Sequence, residues 1–404
     1  MKNSIFWLVS SLSLVSCASP SLRRISSDGV TTRDGVLVPV PSLREPLSIP
    51  ACPPATPGGE CVTADEAALG GEIARAAAKF QSVQNPKSVN PSQRDFHPKH
   101  HACLAGWWNP LASTPQDLRI GAFAATGRRK VVLRFSNGSP KSITGSNAVA
   151  PDFAPDARGL GIKLVGVPGQ SILATEDALP DAYNQDFVLI NYPSFFLRTA
   201  KFYPAFFAAI TEGRPFFSIL DPSELAALKA TNHPVPDVIA ERFFSQTPYK
   251  LGDAIVKYRV SECQPKEVAP ISDAEKQNPN FLRKRIKDRL AAGDICLLFS
   301  VQRQAPGMDA EDAATIWSET SSAFVDVARI EIPGNQDIDD PSRDSYCENN
   351  SFNPWNSSLA NRPAGSINRA RLGAYSGVSR KRRAENGVEI REPRVADSFF
   401  QVLK

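Results

Sequence analysis

Arg94-Asp95-Phe96-His97-Pro98-Lys99-His100-His101 and Arg371-Leu372-Gly373-Ala374-Tyr375 are the two stretches on which the reading of this chain turns. The first offers His97 as a proton acceptor, because an imidazole titrates near neutral pH. The second sets an arginine four residues before a tyrosine. On a helix that spacing puts both side chains on one face, and a guanidinium beside a phenol favours the phenolate. A basic run that includes Arg380 and Arg382 follows.

Working outward, the 404 residues suffice for one large domain or two ordinary ones, and 42% hydrophobic with 22% charged residues allows a full core. A net charge of +4 is small for this length and, without bases interleaved with aromatics, argues against a nucleic-acid partner. The 34 prolines predict long irregular connections. Near the N-terminus Lys2 precedes an apolar run, Ile5 to Val15, too short to span a bilayer. The run ends in Leu14-Val15-Ser16-Cys17, which is similar to a lipobox, so residues 1–17 read as a bacterial export signal. The expectation is a periplasmic or membrane-anchored lipoprotein that touches the membrane only through a lipid on Cys17. The alternative is an ordinary cleaved signal. Of the remaining cysteines, Cys52 and Cys61 flank a Pro/Gly-rich loop and suit a local disulfide, while Cys103, Cys263, Cys296 and Cys347 stay unassigned. The crowding of His97, His100 and His101 lacks the carboxylate or cysteine partners of a metal site.

Residues 18–84 read as a Pro/Ser-rich tether followed by a helix. That helix should start at the capping box Thr63-Ala64-Asp65-Glu66 and run to about Val83. The rest, 85–404, reads as one domain. Lys130 to Ser136 alternates Val132, Arg134 and Ser136 against Val131, Leu133 and Phe135, a strand signature. Gly161 to Val167, Asp186 to Asn191, Ile295 to Val301 and Val325 to Ile332 read as further strands. Helices are predicted over Ala200 to Ile210, after Asp221-Pro222-Ser223-Glu224, over 280–291, and from Ile367 to Tyr375 or a little beyond. A strand-rich centre with helices around it is α+β, not a doubly wound sheet.

These segments, taken in chain order, resemble the catalase superfamily of haem proteins, in particular its shorter members. The resemblance covers roughly residues 85 to 385. It rests on Arg94-x-x-His97-x-Lys99, Arg134-Phe135-Ser136, and Asp156-Ala157-Arg158-Gly159 with Lys163. It continues with Asn191-Tyr192-Pro193-Ser194-Phe195-Phe196, Phe352-Asn353-Pro354 and Arg371-x-x-x-Tyr375. The resemblance implies an antiparallel β-barrel with flanking helices and haem b between the barrel and the Tyr375 helix. Tyr375 would be the iron ligand, with Arg371 holding it ionised. His97 would be the distal acid and base, with Ser136 fixing its tautomer. Arg94, Arg134 and Arg382 would meet the haem propionates, and Tyr203 would place a ring near the haem face.

The family carries two Asn before the Pro of the Asn-x-Pro motif. The gapless register puts Ile190 at the catalytic one, leaving Asn191 as the candidate carboxamide. The implied activity is haem-dependent breakdown of hydrogen peroxide or organic peroxides, with an electron donor where turnover is peroxidatic. The implied setting is oxidative stress, and a homo-oligomer is compatible with the family. Two alternatives stand beside it: rearrangement of fatty-acid hydroperoxides on the same scaffold, and a haem-free surface protein that keeps the barrel.

Overall fold

The structure is a computed structural model that describes residues 29–52, 59–124, 126–139, 150–175 and 181–403. The predicted export signal with Cys17, and the first part of the tether, lie outside the described residues. Eight antiparallel strands close into a barrel. They are β1 (His100–Pro110), β2 (Arg129–Asn137), β3 (Arg158–Pro168), β4 (Ala182–Ile190), β5 (Phe243–Phe244), β6 (Ala254–Glu262), β7 (Ile295–Arg303) and β8 (Val325–Ile332). Each strand pairs with the next in sequence, and β8 returns to β1 through Ile330 opposite Trp108. A short strand, Tyr249–Leu251, adds to β6.

Closure follows from alternation. Successive side chains of a strand point to opposite faces, so Leu133 and Phe135 of β2, Ile162 of β3, and Phe187 and Leu189 of β4 enter the barrel core. Trp108 stacks on Phe187 at 5.9 Å and 4°, and Phe299 lies 4.7 Å from Phe187. The interior is thus packed with rings, and the face left for a ligand is the outer one.

Helices cover that outer face: α1 (Glu66–Gln84), α2 (Tyr203–Thr211), α3 (Pro222–Thr231), α4 (Phe281–Ala292), α5 (Pro341–Asn349) and α6 (Ser366–Glu385). The predicted start of α3 holds: the Asp221 side chain accepts from Ser223 N and Glu224 N at 2.7 and 2.9 Å. The capping box predicted for α1 does not form. The helix begins at Glu66 after Asp65, whose side chain makes no capping bond. The Glu66 carboxylate is drawn to Arg369 instead.

Arg369 explains how α6 is held. Its guanidinium is 1% exposed in side-chain terms and meets Glu60 at 2.9 Å, Glu311 at 2.7 Å and Glu66 at 3.0 Å. The chain before α1 therefore wraps α6. Leu47, Ile49 and Val62 bury in one cluster with Trp355 and Leu372. The Cys52–Cys61 pair forms as read from the sequence. The four unassigned cysteines form Cys103–Cys347, which ties β1 to α5, and Cys263–Cys296, which joins the end of β6 to β7.

Removing one partner of a buried ionic network leaves uncompensated charge at a cost of about 3–5 kcal/mol. Arg369→Ala is expected to destabilise the protein by that order in denaturant unfolding, although Arg362 still pairs with Glu60 at 2.6 Å. A change within the scatter of a surface substitution would contradict this role.

Candidate functional site

A cavity of about 890 Å³ lies between the outer face of β2 to β4 and the helices α1, α2, α3 and α6. That volume suits a cofactor-sized ligand. Strand alternation chooses its barrel wall: Arg134 and Ser136 from β2, Gly159 and Gly161 from β3, Val188 and Ile190 from β4. Helical spacing chooses the opposite wall, where Arg371, Tyr375, Val378 and Arg382 project at intervals of four, three and four residues. The helix α6 runs ten residues beyond Tyr375, to Glu385, and so carries Arg382 into the same cavity.

His97 and Tyr375, distant in sequence, both face this space. Nδ1 of His97 lies 3.1 Å from Ser136 Oγ. The ring rests over Gly159, where a Cβ would fall 2.5 Å from its atoms. Burial pushes the His97 pKa down to about 3, and the charges of Arg134, Arg94 and Arg371 add to the shift against a backbone hydrogen bond at Asn137 that opposes it. The imidazole is therefore neutral across the working pH range and has an acceptor nitrogen.

His97 and Gln246 are the non-glycine residues with positive φ, 56° and 59°, among the described residues, and both line the cavity. Such conformations cost energy and persist where surrounding structure holds them. The His97 N–H donates to Gly138 O at 3.1 Å and its carbonyl accepts from Arg134 Nη2 at 2.8 Å. Gln246 Nε2 donates to Ser194 O at 2.6 Å.

On α6 the Arg371 guanidinium lies 5.8 Å from the Tyr375 ring centroid. Its Nη1 donates to Thr247 Oγ1 at 3.2 Å and Asn368 Oδ1 at 3.1 Å. No carboxylate pairs with it among the described residues. Burial works against its charge, but the phenols of Tyr375, Tyr203 and Tyr249 more than offset that and hold its pKa above the ordinary value. Tyr203 lines the cavity. Burial raises its phenol pKa, and the charge of Arg371 opposes the rise.

The remaining arginines form a polar corner. Arg134 Nη2 meets Glu348 at 2.8 Å and Arg94 Nε meets it at 3.5 Å, while Arg382 Nη1 donates to the Glu348 carbonyl. Arg94 also donates to the carbonyls of Cys347 and Asn350 at 2.7 and 2.6 Å. Two guanidinium groups thus share the Glu348 carboxylate while the third takes its backbone carbonyl, and buried Arg382 Nη2 and Ser379 Oγ have no hydrogen-bond partner among the described residues.

The structure corrects the reading of Asn191. Asn191 does not face the cavity. It follows the last residue of β4, and strand parity turns it away from the wall that Ile190 joins. Its carboxamide is engaged elsewhere, accepting from Arg158 N at 2.8 Å and donating to Thr231 O at 3.4 Å. Arg380 lines a separate small cavity behind α6. His100 is structural, held by Asp344 at 2.8 Å and Glu348 at 3.2 Å, and His101 is buried.

Sequence reasoning missed Glu348, Thr247, Asn368 and Gln246. The first had a signal: Asp340-Pro341-Ser342 repeats the helix start read at Asp221, and its Asp340 side chain caps α5 by accepting from Ser342 N at 2.9 Å. The other three occupy a turn and the start of α6 without a periodic mark.

No family profile matches the sequence, and no curated protein does. Solved structures do match. A fungal catalase aligns at 17% identity over 89% of this chain and 69% of its own, with a TM-score of 0.54. Catalase A from Saccharomyces cerevisiae aligns at 16% over 91% and 75%, TM-score 0.55. A bacterial catalase aligns at 16% over 92% and 70%, TM-score 0.56. The fold is catalase-like.

Gly159→Ala is expected to displace the His97 ring and break its contact with Ser136, read as a changed imidazole resonance by NMR. An unmoved ring would contradict the packing. The His97 pKa also has a linkage consequence. It lies below the unfolded value of 6.5, so the stability it contributes is present above pH 6.5 and is lost as pH falls toward 3. From pH 6.5 to pH 4 wild type is expected to lose about 2–3 kcal/mol more than His97→Gln. Parallel loss in the two proteins would refute it.

Proposed function

We propose that this protein binds haem b in the cavity and breaks down peroxides there, favouring peroxidase turnover of organic peroxides over dismutation of hydrogen peroxide. The observation that carries the reading is that a neutral, Ser136-oriented His97 and an Arg371-accompanied Tyr375 face one cavity. Three residue sets fit the group. Tyr375 offers an oxygen ligand for ferric iron. Arg371, whose hydrogen-bond acceptors are neutral side chains, supplies the positive charge a phenolate needs beside it. Arg94, Arg134 and Arg382 carry more charge than Glu348 cancels, and the unpartnered Arg382 Nη2 and Ser379 Oγ can donate to propionates.

Bound there, the haem iron would supply the redox centre at which a peroxide O–O bond is cleaved. The protein's own part is proton transfer. His97 takes the proton from one peroxide oxygen and returns it to the other, and Ser136 holds the ring for both steps. Ile190 presents no hydrogen bond where the family has a carboxamide, which removes a group that positions hydrogen peroxide. Phe206, Phe216, Phe217, Leu225 and Leu228 give the cavity an apolar lobe that suits an organic group. The same lobe favours, as a second reading, rearrangement of a fatty-acid hydroperoxide. The predicted signal would export this activity to a bacterial periplasm, or to the membrane surface through Cys17.

The test compares oxygen release from hydrogen peroxide with reduction of cumene hydroperoxide by a phenolic donor, using the haem-loaded full chain. Reduction of the organic peroxide should predominate, and His97→Gln should lower it by about 10²–10⁴-fold with haem content retained. Predominant oxygen release would overturn the preference, and an unaffected His97→Gln the acid–base assignment.

A further inference from the structure

One acidic group in the cavity has no part in the chemistry above. Asp95 lines the cavity two residues before His97 and is 7% exposed. No hydrogen bond reaches its carboxyl among the described residues, and Oδ1 is fully enclosed without a partner. Arg382 and Lys381 of α6 and Arg94 beside it are close enough for their fields to act on it, yet none pairs with it. A buried carboxyl left unpaired costs stability unless it is neutral or a ligand satisfies it. The cavity lining holds two more polar atoms without a partner among the described residues, Arg382 Nη2 and Ser379 Oγ of α6.

We infer that Asp95, as the neutral acid, donates a hydrogen bond to a carboxylate of the cavity's ligand and makes binding of that ligand depend on pH. The inference rests on the haem reading, in which the ligand carries two propionates. An acid and a carboxylate share one proton in a strong O–H···O⁻ bond. Once Asp95 ionises, the two anions repel and the bond is lost.

Burial outweighs the divided charges around Asp95. Burial holds its pKa well above the usual carboxylate range, and Glu385 adds to the rise. Arg382, Lys381 and Arg94 oppose it without reversing it. Lys381 is itself engaged by Glu385 and Gln81, and Arg94 by Glu348 and two carbonyls. An arriving carboxylate raises the Asp95 pKa further, so binding retains the proton. His97 titrates far below the range concerned and contributes no slope there.

The experiment titrates the full chain with metal-free protoporphyrin IX at pH 6 and pH 9, following porphyrin fluorescence, for wild type, Asp95→Asn and Asp95→Val. Asparagine keeps a neutral donor at both pH values, and valine keeps the volume without a donor. Wild-type affinity is expected to fall about tenfold or more from pH 6 to pH 9 relative to Asp95→Asn. Asp95→Val should bind more weakly than wild type at pH 6 and lose the slope. Equal pH profiles for wild type and Asp95→Asn would overturn the role of Asp95 and leave the porphyrin site standing. Failure of wild type to bind porphyrin at either pH would overturn the haem reading, and this inference with it.

Discussion

Everything at this site depends on the two-residue period of β2, β3 and β4. Because the barrel interior is filled by Trp108, Phe187, Phe299 and their neighbours, side chains that alternate away from it must be covered from outside. The outward set on β2 is Arg134 and Ser136, and on β3 it includes Gly159 and Gly161. The first pair supplies charge and a hydroxyl, and the second supplies room. Phe352 lies where a Cβ on Gly161 would come within 2.8 Å, and the His97 ring lies likewise over Gly159. The glycines thus let two functional segments press onto the sheet.

The opposite wall is set by α6, which is unusual in how much charge it buries. Arg369, Arg371, Lys381, Arg382 and Arg383 are all buried on one helix. Arg369 and Lys381 have carboxylate partners on or near α1 and within α6, and these anchor the helix. Arg371 and Arg382 differ, because their side chains turn to the cavity and are left to neutral acceptors or a backbone carbonyl. Buried cations without a full complement of anions are what a dianionic ligand and a phenolate would complete.

Much of this was legible in the sequence, for reasons tied to particular residues. Strand β2 alternates cleanly and the Asp221 cap is local, so both were read correctly. Strand β1 was missed because it is buried on both faces, against the barrel core and under α5, and so His100–Pro110 shows no alternation. Strand β6 was missed although Lys257 and Arg259 alternate with the inward Val256, Tyr258 and Val260, whereas burial of Lys257 against Trp317 is invisible locally. The pairings Cys103–Cys347 and Cys263–Cys296 join segments that only the barrel brings together. Asn191 shows the limit of motif reading, since the residue type was right for a positioning amide and the strand parity was wrong.

The most direct test of the account is an optical titration of the purified full chain with ferric haem b, alongside Tyr375→Phe. The account predicts one haem per chain, with a spectrum of tyrosinate-ligated ferric haem that is lost or altered in the variant. Absence of stoichiometric binding, or an identical spectrum from Tyr375→Phe, would contradict it.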